Sequence, residues 1–251
     1  MKIKNYINDF LLYVQFFTRI PVNKELECSD ENFIRGSSFF PIIALIIGGI
    51  QYLVYLFFNK FLPPSITSMF VVLTAVLLTG ALHMDGLGDV CDGFFAFKGG
   101  KEKIIEIMKD SRIGAYCCIA IVIDILFKYQ LIKLAIESFT PEMIIIAPVM
   151  GRLAVVLIST IGKPAKETGS GNLFIGRISW QKLIVTSVIA ILIQAIFITP
   201  KAIIINMITV LVVTYLFNMF CNSKINGLTG DTLGAINEIV EILILTIFFA
   251  I

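Results

Sequence analysis

The sequence predicts an all-α, polytopic integral membrane bundle. Three observations carry that prediction. Of the 251 residues, 57% are hydrophobic and only 15% are charged. The mean hydropathy is +0.91. Apolar windows long enough to cross a bilayer, about 20 residues each, recur along the chain. Soluble domains carry about 25% charged residues, and a soluble core of this size cannot bury so much apolar surface. The net charge of +2 is scattered, with no basic run, so no nucleic-acid partner is expected.

Taken in order, the chain opens with Ile3, Ile7, Phe10, Leu11, Val14 and Phe17 at helical spacing. That pattern suits an amphipathic helix lying in the membrane interface and ended by Pro21. Asp9, Gln15 and Arg19 interrupt the run and no small-residue cleavage site follows, so it is not a cleavable signal. Spans are expected at Phe40–Phe58, 66–82, 115–135, Met143–Ile161, 183–199, 202–220 and 239–251. The count is about seven, or six if the pair flanking Pro200 and Lys201 is one hairpin. The whole chain, 1–251, reads as one membrane-embedded domain with an interfacial segment at 1–38. Cys28, Cys91, Cys117, Cys118 and Cys221 show neither metal nor disulfide spacing and read as reduced thiols.

Lysine and arginine set the orientation. With the N-terminus in the cytoplasm, fifteen of the 20 fall inside: Lys2, Lys4, Arg19, Lys24, Arg35, Lys98, Lys101, Lys103, Lys109, Arg112, Lys163, Lys166, Arg177, Lys182 and Lys224. Lys60, Lys128, Lys133 and Lys201 fall in outside turns or span ends, and Arg152 lies mid-span. This follows the positive-inside rule. It also puts the three long polar loops, 83–114, 162–182 and 221–238, on the cytoplasmic side of a cell membrane.

The first loop contains "HMDGLGDVCDG". Asp85, Asp89 and Asp92 are at i, i+4 and i+7, within about 60° of one another on a helix. Three carboxylates on one stripe repel, and a divalent cation relieves the repulsion. Hard oxygen ligands with room for waters and phosphates describe Mg²⁺ or Mn²⁺. Gly86, Gly88 and Gly93 carry no side chain and would let a metal–diphosphate approach the backbone. "IMKDSRIG" follows, in which Lys109 and Arg112 flank Asp110 and Ser111. Its basic groups suit a diphosphate, or else anchor the next span.

The third loop, "GLTGDTLGAINEIVE", is a polar turn with Asn226, Gly227, Thr229, Gly230 and Asp231, followed by Glu238 and Glu241. Asp231 and Glu238 share a face if a helix begins near Asp231. Arg152, costly in mid-span, pairs with an acid or a substrate phosphate, or snorkels. His83 is either a satisfied structural histidine or a ligand. The loop "GKPAKETGSGNLFIGR" is flexible by composition and suits a lid or substrate loop. No aromatic cluster stands out; Phe94, Phe95 and Phe97 suit packing at the membrane interface.

Together these motifs, with the opening "FFTRIPV", resemble the cobalamin synthase family, the adenosylcobinamide-GDP ribazoletransferases, from about Phe16 to Glu241. The resemblance implies a Mg²⁺-dependent enzyme of the cytoplasmic membrane. Such an enzyme joins adenosylcobinamide-GDP to α-ribazole or its 5′-phosphate and releases GMP. It implies that Asp85, Asp89 and Asp92 hold metal and that Lys109 and Arg112 bind phosphate. Asp110 and Ser111 belong to the matching basic segment, and Gly230, Asp231 and Glu238 to the later motif. Asp231 or Glu238 is then the base or a further metal ligand; Gly86, Gly93, Asn226, Gly230 and Arg152 are expected around the substrate. Met84 stands where an apolar residue such as leucine is expected. Rival readings are a CDP-alcohol phosphotransferase, which typically has Ala-Arg where Gly88 and Asp89 stand, a prenyltransferase, and a cation transporter. Oligomeric state leaves no signal in the sequence.

Overall fold

The computed structural model describes residues 2–96 and 99–250. Phe97, Lys98 and Ile251, and the side chains of Lys2 and Ile3, lie outside the described residues. The fold is helical throughout: α1 Lys2–Phe17, α2 Asp30–Gly36, α3 Phe40–Phe58, α4 Pro64–Thr79, α5 Leu82–Phe95, α6 Lys101–Met108, α7 Ala115–Glu137, α8 Met143–Ile161, α9 Trp180–Ala195, α10 Pro200–Ile225 and α11 Gly230–Phe248. Each of the seven expected spans is helical over most of its described length. Among the described residues, four stretches are long and apolar enough to cross a membrane: Asp30–Phe58, Met143–Ile161, Trp180–Phe197 and Pro200–Ile225. The bent pair α4–α5 makes a fifth if counted as one. Helices α7 and α11 are not among them; α7 carries Asp124 and Lys128 mid-helix, and α11 carries Asp231, Glu238 and Glu241.

Helix α8 is the axis. Every residue from Met143 to Val156 is buried, and α3, α11, α9 and α10 pack around it. The outer helices turn large apolar side chains outward: Ile119, Leu126 and Phe127 on α7, Leu192 on α9, Leu211 and Leu216 on α10. An apolar exterior around a charged interior suits a bilayer.

Helix α1 is amphipathic, but its inward face differs from the one the spacing predicts. Ile7 is 52% exposed, whereas Asp9, Leu12, Tyr13, Val14 and Phe17 are buried. The cause is polar. Asp9 accepts from Asn32 Nδ2 at 2.8 Å and from Arg35 Nη2 at 2.8 Å, and the Tyr13 hydroxyl donates to Phe33 O at 2.6 Å. So Asp9, which breaks the apolar pattern, is what seats α1 on α2 rather than on lipid alone.

The expected span 66–82 stops at Thr79. Gly80 (φ +62°) and Ala81 (φ +59°) are both left-handed, and α5 leaves at 88° to α4. Glycine suits the first of these positions twice over: its φ is left-handed, and the Arg19 guanidinium occupies the space a Cβ would need. The 83–114 region is therefore mostly helix, α5 and α6, rather than loop. In 221–238, only 226–229 lies between helices.

The 162–182 segment is tied down. Leu228 N donates to Lys163 O at 2.9 Å and Ala165 N to Leu228 O at 2.8 Å, which clips it to the α10–α11 turn. Arg177 pairs with Asp30 at 2.6 Å, and Lys182 Nζ donates to Arg35 O at 2.8 Å. These two basic residues hold the segment against α2. All five cysteines are free.

Candidate active site

Two glycines bring the acidic motifs together. A Cβ at Gly86 would lie 2.7 Å from Asp231 O and 3.0 Å from Asp231 Cα; one at Gly234 would lie 2.9 Å from His83 O. The α5 and α11 backbones therefore touch at Gly86 and Gly234, and the first turns of both helices meet. Asp85 is in the first turn of α5 and Asp231 in the first turn of α11. Gly86 thus serves the helix crossing as well as the cleft wall. Gly93 faces α6, with its Cβ position 3.2 Å from Ile104 O, so its missing side chain lets α5 and α6 pack closely.

The stripe on α5 forms as expected, but its three acids part company. Asp85 is exposed, Asp89 half-buried and Asp92 buried. Asp89 lies in the field of Asp85, Asp231 and Asp92. Asp92 accepts from Gly114 N at 2.7 Å and Cys117 N at 3.0 Å. Each of its oxygens caps the start of α7, a structural task the metal-ligand expectation did not foresee. Asp231 Oδ2 accepts from the Thr229 hydroxyl at 3.1 Å, and a Thr229–Thr232 capping box fixes that turn. The charges acting on Asp231 are Lys166, Asp85 and Lys109.

Asp85 and Asp231 therefore sit where two helix N-termini meet, with Asp89 one turn further along α5, and the charges of Lys166 and Lys109 bear on Asp231. Such termini favour phosphate oxygens. Among the described residues no group of three or more His, Cys, Asp or Glu could hold a metal ion by itself. Mg²⁺ held together with a diphosphate takes one or two carboxylates, waters and phosphate oxygens rather than an all-protein cage, a donor set to which Asp85 and Asp231 could contribute.

The basic segment lies on the exposed α6–α7 link. Arg112 is bound to Asp110, with Nη2 to Oδ2 at 2.6 Å and Nε to both oxygens at 3.0 Å. Those hydrogen bonds hold the Asp110 carboxyl down at about 2. Ser111 is exposed. Asn226 is left-handed and exposed, ending α10 as its C-cap. Gly230 packs on Gly171, whose Cβ would lie 2.9 Å from Gly230 Cα.

Glu238 and Arg152 belong to a different constellation. Helix α11 does begin near Asp231, so Glu238 shares its face, but about 10 Å deeper along the helix. There Lys128 of α7 pairs with Glu238, with Glu241 at 3.0 Å and with Asp124 at 3.5 Å. Arg152 pairs with Glu241 at 3.0 Å and donates to Asn237. Asn237 Nδ2 in turn donates to Glu238 at 3.0 Å and Glu241 at 2.8 Å. All are buried or nearly so, and Lys128, Arg152, Glu238 and Glu241 line a small cavity. Arg152 meets an acid, as one of its expected roles has it. Lys128 is buried in the bundle rather than in an outside turn.

A cleft opens beside Asp85 and Asp231, lined also by Gly86, Ser170, Gly171, Gly230 and His83. Its far wall is aromatic: Phe16, Phe17, Phe40 and Phe174. Sequence reasoning missed this wall because its rings come from α1, α3 and the segment after α8. It also missed Lys166, which reads locally as one more loop cation. Asp124 and Lys128 carried a usable signal, an i,i+4 ion pair inside an apolar run.

The cobalamin-5-phosphate synthase family matches residues 9–249. The chain belongs to that family. It is 49% identical over 248 residues to an adenosylcobinamide-GDP ribazoletransferase of Clostridium botulinum (strain Okra / Type B1), covering 99% of this chain and 100% of the relative. It is 52% identical over 245 residues to one of Clostridium kluyveri (strain NBRC 12016), covering 96% and 95%. A third relative, of Clostridium tetani (strain Massachusetts / E88), is 46% identical over 246 residues, covering 98% of each chain. No solved structure matches. In this family member the backbones of α5 and α11 bring the two acidic motifs side by side, and Glu238 lies deeper along α11, paired with Lys128.

Proposed function

We propose that the chain is a membrane transferase that joins adenosylcobinamide-GDP to α-ribazole, or to its 5′-phosphate, and releases GMP. The observation that carries the proposal is the meeting of Asp85 and Asp231 at two helix N-termini, with Asp89 one turn further along α5 and the charges of Lys166 and Lys109 bearing on Asp231. The relatives' names supply the substrates. An acceptor that can carry a 5′-phosphate must attack through a ribose ring hydroxyl. Its oxygen bonds to the phosphorus that bears cobinamide, the bond from that phosphorus to the GMP oxygen breaks, and the hydroxyl proton leaves.

Asp85 and Asp89 would hold Mg²⁺, which when bound neutralises charge on the diphosphate oxygens. Lys109 and Lys166 bind the phosphate that departs with GMP. Asp231, held by Thr229 beside the reacting centre, accepts the hydroxyl proton. Glu238 is spent on Lys128 and does not serve as the base. Arg112, released from Asp110 when the diphosphate arrives, adds a second cation. The site faces the cytoplasm, as the distribution of lysine and arginine indicates, and the outward apolar side chains of α7, α9 and α10 meet lipid.

Membranes from cells expressing the chain, incubated with adenosylcobinamide-GDP, α-ribazole and Mg²⁺, should yield cobalamin and GMP by mass spectrometry. Chelation should abolish both. Inserted, folded protein that forms neither product would overturn the proposal.

A further inference from the structure

The aromatic wall of the cleft is more than a seam for α1. Phe17 lies 4.8 Å from Phe40 and 5.9 Å from Phe174, and Phe40 lies 5.7 Å from Phe174, ring centre to ring centre. Phe16, at 37% exposure, forms the rim. Helix α5 continues this wall. The imidazole of His83 stacks on Phe17 at 6.2 Å with 23° between planes. His83 is 5% exposed and lines the cleft, and its Nδ1 is buried without a hydrogen-bond partner. Buried polar atoms are nearly always paired, and leaving one orphaned is costly. A ligand in the cleft removes that cost.

We infer that this wall is the subsite for the base of the acceptor nucleoside, a flat and largely apolar heterocycle, and that His83 Nδ1 hydrogen-bonds the nucleoside. The inference rests on the transferase reading above. Two features choose this ligand. The wall begins next to Asp85 and Asp231, so a ribose hydroxyl at Asp231 puts its own base on the rings. Guanine is the wrong occupant: its edge presents several donors and acceptors that a site must satisfy, and this wall is built of phenyl rings beside one unpartnered ring nitrogen. A benzimidazole base, with an alkyl-substituted edge, asks for stacking and little else.

The test uses the full-length protein in detergent, with wild type, Phe174→Leu, Phe16→Ala and His83→Phe. Leucine keeps most of the volume at the buried position, Phe16 sits on the rim, and His83→Phe keeps the stacked ring while removing the nitrogen. Each variant should raise KM for α-ribazole about tenfold, the scale of losing one stacking or hydrogen-bonding partner, with KM for adenosylcobinamide-GDP unchanged. An unchanged KM for α-ribazole in all three, or a rise confined to adenosylcobinamide-GDP, overturns the inference. Direct titration of the benzimidazole fluorescence of α-ribazole separates this from failure of the transferase reading. Wild type that binds α-ribazole without turnover, with binding lost in Phe174→Leu, sinks the reading and keeps the subsite. Wild type that turns over while Phe174→Leu and His83→Phe bind α-ribazole as tightly sinks the subsite and keeps the reading.

Discussion

Replacing Gly86 with alanine sets local preference against packing. In an isolated helix the change favours α5 by about 1 kcal/mol, because glycine is the poorer helix former. In the bundle, the new methyl would meet Asp231 O at 2.7 Å, where ordinary contact begins at 3.4 Å. The obstacle is the backbone of α11, with no flexible side chain to swing aside. The two first turns must separate by about 0.7 Å, or α5 must roll. Overpacking of this kind costs about 1–3 kcal/mol, so the net change in stability is between about zero and 2 kcal/mol of loss. The effect on turnover should be larger, because Asp85 and Asp231 sit on either side of the contact. A displacement near 1 Å at a reacting centre costs about a hundredfold in rate. The assay is kcat for GMP release beside a thermal melt of the same preparation. A melt within a few degrees of wild type with kcat down ten- to a hundredfold is expected. Full activity with a raised Tm would show that the helices do not cross as closely as described.

Removing a cap or a buried cation should act on stability instead. Asp92→Ala strips Gly114 N and Cys117 N of their acceptor and should cost about 1–3 kcal/mol. The Mg²⁺ concentration giving half-maximal activity should stay unchanged, read by activity titration of the surviving folded protein. Lys128→Met leaves Asp124, Glu238 and Glu241 facing Arg152 alone. It should cost about 3–5 kcal/mol, seen as a lowered midpoint in denaturant or heat. Lys128→Met together with Glu238→Gln and Asp124→Asn should recover much of that loss. Arg112→Ala frees Asp110, whose carboxyl then titrates above the value of about 2 that Arg112 imposes. Its ion pair is exposed, so the melt should not move, while KM for adenosylcobinamide-GDP rises several-fold.

Much of this was legible from residue spacing. A 3.6-residue period with apolar windows announces the helices, and the i, i+4, i+7 aspartates announce a shared stripe. The helix starting near Asp231 was readable from the Thr229–Gly230–Asp231 turn. What spacing cannot report is which neighbour a side chain meets. Asp92 points at the start of α7, twenty-two residues on from Asp92 to Gly114, and nothing local distinguishes it from Asp85. Glu238 shares a face with Asp231, yet depth along the helix puts it with Lys128. The left-handed Ala81 is another case: alanine gives no turn signal, so the α4–α5 bend reads as a continuing span. The aromatic wall, assembled from Phe17, Phe40 and Phe174, exists only once three segments are brought together.

The central claim is that Asp85, Asp89 and Asp231 form one metal–diphosphate site and that Asp92 and Glu238 stand outside it. Its most direct test is Mg²⁺-dependent GMP release by Asp89→Asn, Asp231→Asn, Asp92→Asn and Glu238→Gln, each shown to be folded and inserted. The account predicts that turnover is lost in the first two. In the last two, activity per folded molecule should survive with the Mg²⁺ dependence unmoved. Turnover retained in Asp231→Asn, or a Mg²⁺ requirement that shifts with Asp92 instead of Asp89, would contradict it.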